Sequence, residues 1–314
     1  MVLKLHKEEL EAERAALMQL LKDTDASDPV GRISFQARID LLAEEIAALD
    51  TDPDTTAEVA LVFNDGPVYG TRAIDAEFAG KALEAYQELV SKRSAISTAG
   101  GLAQRGPVPG RDTSRLLVTD IVRGSFGFLL REARADQPGF VPSSLRESVG
   151  DVTTLLQSLT EQTDEQFLQA LEEIDARVFV SLRKFVETLH DYSASMRLVD
   201  GMKELKLDQA AVLKAHERVT QTALEQIEYN RKIHMLGIIP VGRRFEAVDM
   251  ESQEFIGGKV GPAFSQGYLE RVNIGQVEIS GKNWLGTFRR KTARRTDGRE
   301  TVTITLLDLQ ELQN

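Results

Sequence analysis

Leu3, Leu10 and Leu17 recur every seven residues, and Leu20 and Leu21 close the stripe. The positions between them are mostly polar or charged. That spacing predicts an amphipathic helix over 4–24. The run Asp23-Thr24-Asp25-Ala26-Ser27-Asp28-Pro29 is dense in turn formers and breaks it. Ile39, Leu42, Ile46 and Leu49 then alternate spacings of three and four, so a second helix is expected to about residue 49. Two helices joined by a short turn form an antiparallel hairpin. Its apolar seam is narrow and coiled-coil-like. Such a seam is covered either by its own chain or by a partner. Leu10, Leu17, Leu21, Ile39, Leu42 and Ile46 are therefore candidate partner-binding residues, for another protein or a second copy.

Residues 50–56 read as a linker. Val59-Ala60-Leu61-Val62-Phe63, the turn Asn64-Asp65-Gly66-Pro67 and Val68-Tyr69-Gly70 predict a β-hairpin, because Asp-Gly supplies the positive φ of the turn. A helix follows over 74–93, with Phe78, Leu83, Tyr86, Leu89 and Val90 on its apolar face. Then comes a glycine- and proline-rich loop over 98–114. A second hairpin is expected from Leu116 to Leu130 across Arg123-Gly124-Ser125. From about 143 to 192 the pattern is helical. Ser158 to Glu161 and Thr163 to Gln166 have the spacing of capping boxes. A short hairpin around Asp200-Gly201 and a helix capped by Asp208 come next.

The last ninety residues alternate with the period of strands. Paired glycines at 257 and 258 suggest a bulge or tight bend. Arg295-Thr296-Asp297-Gly298 turns one long strand into the next. About five antiparallel strands and one short helix predict a small antiparallel β-barrel of the SH3 or OB type. The expected class is α+β in four consecutive modules. They are an N-terminal helical hairpin over 1–55, an α+β unit over 56–140, a mainly helical segment over 141–222 and the C-terminal barrel over 223–314.

Composition narrows the chemistry. Hydrophobic residues make up 42% and charged residues 28% of 314, enough to bury real cores. There is no cysteine, which excludes disulfides, thiolate metal sites and cysteine nucleophiles. The N-terminus turns acidic within ten residues and resembles no signal peptide. No run of eighteen apolar residues occurs, so no membrane association is expected and a cytoplasmic location is.

Catalytic signals are sparse. Glu187-Thr188-Leu189-His190 is a single E-x-x-H, whereas a di-iron bundle needs two copies and two further glutamates. Asp200, Glu204 and Lys206 have the residue types of a metal-dependent nuclease site, with Asp200 unusually close in sequence. The loop over 100–111 lacks phosphate-loop spacing. No catalytic residue, metal site or cofactor is assigned.

Net charge is −11, which repels polyanions at long range. The cations nonetheless collect near the C-terminus. Arg289, Arg290, Lys291, Arg294, Arg295 and Arg299 surround one expected hairpin. Arg243 and Arg244 lie on another strand of the same module, and Trp284 is near in sequence. Cations beside aromatics on a small barrel suit single-stranded nucleic acid. Edge protection of an exposed strand, or docking on acidic helices, would use the same cations. The sequence thus points first to a non-catalytic binding or assembly subunit acting through protein contacts, and second to nucleic-acid binding through the barrel, with a metal-dependent nuclease as a third reading. No residue specifies a biological setting; bacterial defence or a mobile element fits the second reading.

Overall fold

The computed structural model describes residues 2–312 except 26, 51–53, 100–101, 104, 123–125, 134–140, 162, 173, 240, 262–263, 265 and 276–277. Part of the expected linker, the turn at 123–125 and the paired glycines at 100 and 101 lie outside the described residues. The chain is mixed α+β. It divides into two compact units, each assembled from separate stretches of sequence. The first holds 1–90, 112–157 and 188–212; the second holds 91–111, 158–187 and 213–314. The expected modules were consecutive, and the observed units are interleaved.

The first unit begins with α1 (Leu3–Asp23) and α2 (Pro29–Leu49). Asp28 caps α2 by accepting a hydrogen bond from the Gly31 amide at 2.9 Å, and Pro29 occupies the first helical position. Leu10, Leu42 and Ile46 are buried against one another, with Leu17 and Leu49 packed on them. Ile39 is buried and Leu21 half-buried. Much of the narrow seam is thus covered by the hairpin itself.

The strands of this unit are β1 (Glu58–Asp65), β2 (Val68–Tyr69), β3 (Ala73–Ile74), β4 (Leu116–Val122), β5 (Phe126–Glu132), β6 (Ala194–Asp200) and β7 (Lys203–Leu207). Five form an antiparallel sheet in the order β4-β5-β1-β6-β7. The expected β4–β5 and β6–β7 hairpins are present. The hairpin expected between 59–63 and 68–70 is not: β1 pairs with β5 and β6, while β2 pairs with β3. The reason lies in β1 itself. Val59 through Phe63 are all buried, so both faces and both edges of the strand need covering. A two-residue partner cannot do that, and a continuous apolar run of this kind belongs at the centre of a sheet.

Each face of β1 has its own cover. Ala60 and Val62 pack with Val2, Leu129 and Val199, and Leu5 joins them from α1. Phe63 meets Phe78 of α3 (Ala76–Ala99) edge-on, with ring centroids 5.1 Å apart. Asp200, at the end of β6, is fully buried. Arg146 of α4 (Ser144–Glu161) sits 2.6 Å from its Oδ1, and the Thr153 hydroxyl donates to its Oδ2 at 3.1 Å. Burial pushes the Asp200 carboxyl above its ordinary range, and Arg146 opposes that.

The second unit contains α5 (Asp164–Leu171), most of α6 (Ala176–Asp191) and α7 (Gln209–Thr220), and α8 (Gln266–Asn273). The capping box at Thr163 and Gln166 is present at the start of α5. Ser158 instead lies within α4, so the other expected box does not begin a helix. The strands are β8 (Thr222–Ile239), β9 (Arg244–Asp249), β10 (Phe255–Val260), β11 (Asn283–Arg295) and β12 (Glu300–Glu311). Their pairings run β10-β12-β11-β8-β9, and β9 pairs back to β10, so the sequence of pairings returns on itself. One pairing, β10 with β12, is parallel.

The ring encloses Ile233, Met235, Phe245, Ala247, Val260, Trp284, Phe288 and Leu306. Gly258 permits its β10–β12 seam: a Cβ there would stand 2.1 Å from the Ile304 carbonyl oxygen. In place of the bulge or tight bend expected at the paired glycines, the β9–β10 register is regular, and Gly258 instead serves close backbone approach.

Candidate anion-binding cleft

Most of the basic residues singled out from sequence fall into two groups with different partners. At the far end of the β11–β12 hairpin the cations are neutralised. Arg295 is buried, with its Nη1 2.7 Å from Asp164 of α5. Arg218 of α7 reaches the other oxygen of the same carboxylate at 2.9 Å. Hydrogen bonding from Arg295, then from Arg218, holds the Asp164 carboxyl below its ordinary range despite an opposing desolvation. Arg299 pairs with Glu165 at 3.1 Å, and Arg294 with Glu300 at 3.1 Å. These cations fasten strands to helices or to each other. That is the docking on acidic helices weighed above, made within one unit.

The second group lines a cleft of about 720 Å³. Arg243 and Arg244 come from the β8–β9 connection and the start of β9, Lys259 from β10, Arg289 and Lys291 from β11, and Arg93 from the last turns of α3. Six cations face two carboxylates, Glu172 and Asp175. Strand alternation explains the selection. Arg289 and Lys291 share a face of β11, while Arg290 points the other way and is exposed.

Several of these cations have protein partners. Arg289 donates to Glu228 through Nε and Nη2, at 3.1 and 2.7 Å. Lys291 donates to the Glu172 carbonyl at 2.5 Å, where the end of α5 presents unsatisfied carbonyls. Lys259 lies 3.5 Å from the Glu172 carboxylate. Arg243 and Arg244 differ: both are exposed, and among the described residues neither side chain has an ion pair or hydrogen bond. Arg243 also adopts a positive φ of 47°, with its carbonyl accepting from the Val260 amide at 2.7 Å. A bulky residue in the left-handed region is uncommon, and this one lines the cleft.

Trp284 is corrected as a site residue. It is buried in the core of the ring, and its indole Nε1 donates to the Ile279 carbonyl at 3.0 Å. Phe288 is likewise fully buried. Neither ring is open to a base. Lys259, Arg93 and Glu172 were not singled out from sequence, because isolated charges on separate elements carry no spacing signal.

The acidic residues considered for metal chemistry are compensated by cations. Asp200 is held by Arg146, and Glu204 pairs with Lys4, Arg197 and Lys206. Among the described residues no three His, Cys, Asp or Glu side chains gather as a metal site would require. No helix among them is long and apolar enough to cross a membrane. In comparisons with protein-family models, curated proteins and solved structures, nothing matches the chain.

Proposed function

We propose that this is a non-catalytic binding protein whose ring of strands acts as a small barrel of the SH3 or OB type, with a cytoplasmic setting, and that its cleft takes a phosphate-bearing polyanion, in the first instance nucleic acid. One observation carries the reading: Arg243 and Arg244 stand exposed in the lining of a cleft, without a counter-ion among the described residues, and the rest of that lining adds four cations against two carboxylates. Exposed cations concentrated in a concavity raise the local concentration of anions even where net charge is negative. Phosphate contacts of this kind weaken steeply with salt.

The test is titration of the protein into a labelled oligonucleotide at several salt concentrations. The reading expects binding that weakens with salt and is lost in Arg243→Glu/Arg244→Glu. Absence of binding by the wild type at low salt would refute it.

Assembly through protein contacts is a second reading, supported by exposed apolar side chains in the first unit. Met18, Leu20, Val30 and Ile33 are exposed near the α1–α2 turn, with Val30 at 76% and Ile33 at 70%. Light scattering tests it, and a strict monomer that retains no partner on purification counts against it.

A further inference from the structure

A second hollow, of about 700 Å³, adjoins the cleft and shares Arg244 with it. Its lining includes Ile239, Glu246, Phe255, Gly257 and Ile304. The strand ladder explains its shape. Phe255, Gly257 and Lys259 lie on one face of β10, opposite Val248, Glu246 and Arg244 of β9. Gly257 has no side chain, so the floor between Phe255 and Lys259 is bare. The Phe255 ring leans over that floor, 2.9 Å from where a Cβ on Gly257 would sit. Phe255 is 62% exposed and Ile239 58% exposed.

We propose that this hollow is a base-stacking subsite for single-stranded nucleic acid, with the strand's phosphates on Arg243 and Arg244. This rests on the polyanion reading above. A nucleotide joins a flat, largely apolar base to a phosphate through one sugar. Here an open aromatic face and a cationic cleft meet at Arg244. Glu246 repels phosphate and acidic side chains from the apolar hollow, yet it accepts hydrogen bonds from base N–H groups, the ring N3–H of thymine included. Bases of a single strand are free to stack on an exposed aromatic ring, which suits a single strand better than a duplex.

The test uses the full chain and three labelled probes: oligothymidylate, an abasic sugar–phosphate oligomer of equal length, and an acidic peptide with interspersed leucines. Phe255→Ala is expected to weaken oligothymidylate binding roughly tenfold and to leave the abasic oligomer unchanged. Phe255→Trp is expected to retain binding of both. Circular dichroism of each variant checks the fold, which exposed Phe255 does not support. Equal oligothymidylate affinity in wild type and Phe255→Ala overturns the subsite, as does an equal loss for both oligomers; either leaves the cleft reading standing. Failure of the wild type to bind either oligomer overturns both readings. Binding of the peptide alone, lost in Phe255→Ala, assigns the hollow to a protein partner and overturns the proposal.

Discussion

Arg244 and Lys259 stand directly opposite each other on the neighbouring antiparallel strands β9 and β10. Like charges in that position oppose strand pairing. Lys259 has the Glu172 carboxylate 3.5 Å away, whereas Arg244 has no such partner among the described residues. A pair that works against the sheet is what an anion-binding role for Arg244 explains. Replacing Arg244 with Thr is expected to stabilise the protein by a few tenths to about 1 kcal/mol while weakening oligonucleotide binding. Urea denaturation and a binding titration on the same variant check both halves.

Gly258 tests the closure of the ring. Its missing Cβ is replaced in space by the Ile304 carbonyl oxygen, a backbone atom that cannot rotate away. Gly258→Ala is expected to cost about 1–3 kcal/mol through forced separation of β10 and β12. Thermal unfolding, followed by near-ultraviolet circular dichroism of the buried Trp284, reads the loss.

Glu204 gives the first unit a pH dependence. Burial pushes its carboxyl up, but hydrogen bonds from Lys4, Arg197 and Lys206 outweigh that and hold it at about 2, below the ordinary 4.5. A carboxyl depressed on folding stabilises the native state above its ordinary pKa, and that contribution fades as pH falls through the folded value. Urea midpoints are therefore expected to drop as pH falls from 4.5 toward 2. In Glu204→Gln the stability at neutral pH should be lower and the acid dependence shallower. An unchanged pH profile in the variant contradicts the assignment.

The helical hairpin separates packing from assembly. Leu42 is fully buried, so Leu42→Ala is expected to cost about 2–5 kcal/mol. Val30→Ser/Ile33→Ser changes only exposed side chains and is expected to alter stability by less than about 0.5 kcal/mol per site. If the exposed patch supports assembly, the double variant lowers the mass measured by light scattering. An unchanged mass for a multimeric wild type removes the patch from the interface.

Local pattern carried much of the architecture. The α1–α2 hairpin followed from leucine spacing and one turn. The capping box at Thr163, the β6–β7 hairpin around Asp200 and the helix after Asp208 followed from short-range chemistry. Pairing across long separations did not follow. β1 meets β5 and β6, which are far away in sequence, and its uniform apolar run carries no mark of its neighbours. The cleft was half legible for the same reason. A run of cations marked β11, but strand alternation and position along the hairpin decide which of them line the cleft. Arg290 faces away, and Arg295 and Arg299 are held by Asp164 and Glu165 at the far end, so the basic run yields Arg289 and Lys291 to the cleft. Trp284 was drawn to the site by proximity in sequence and belongs to the core.

The central claim is that anion binding resides in the cleft and not at the hairpin tip. The most direct test compares the salt dependence of oligonucleotide binding in Arg243→Glu/Arg244→Glu with that in Arg294→Glu/Arg299→Glu. Reversal in the cleft is expected to weaken binding and reduce the logarithmic salt slope by roughly two, whereas reversal at the tip should leave that slope unchanged. Equal losses from the two double variants, or a larger loss from the tip, would contradict the account.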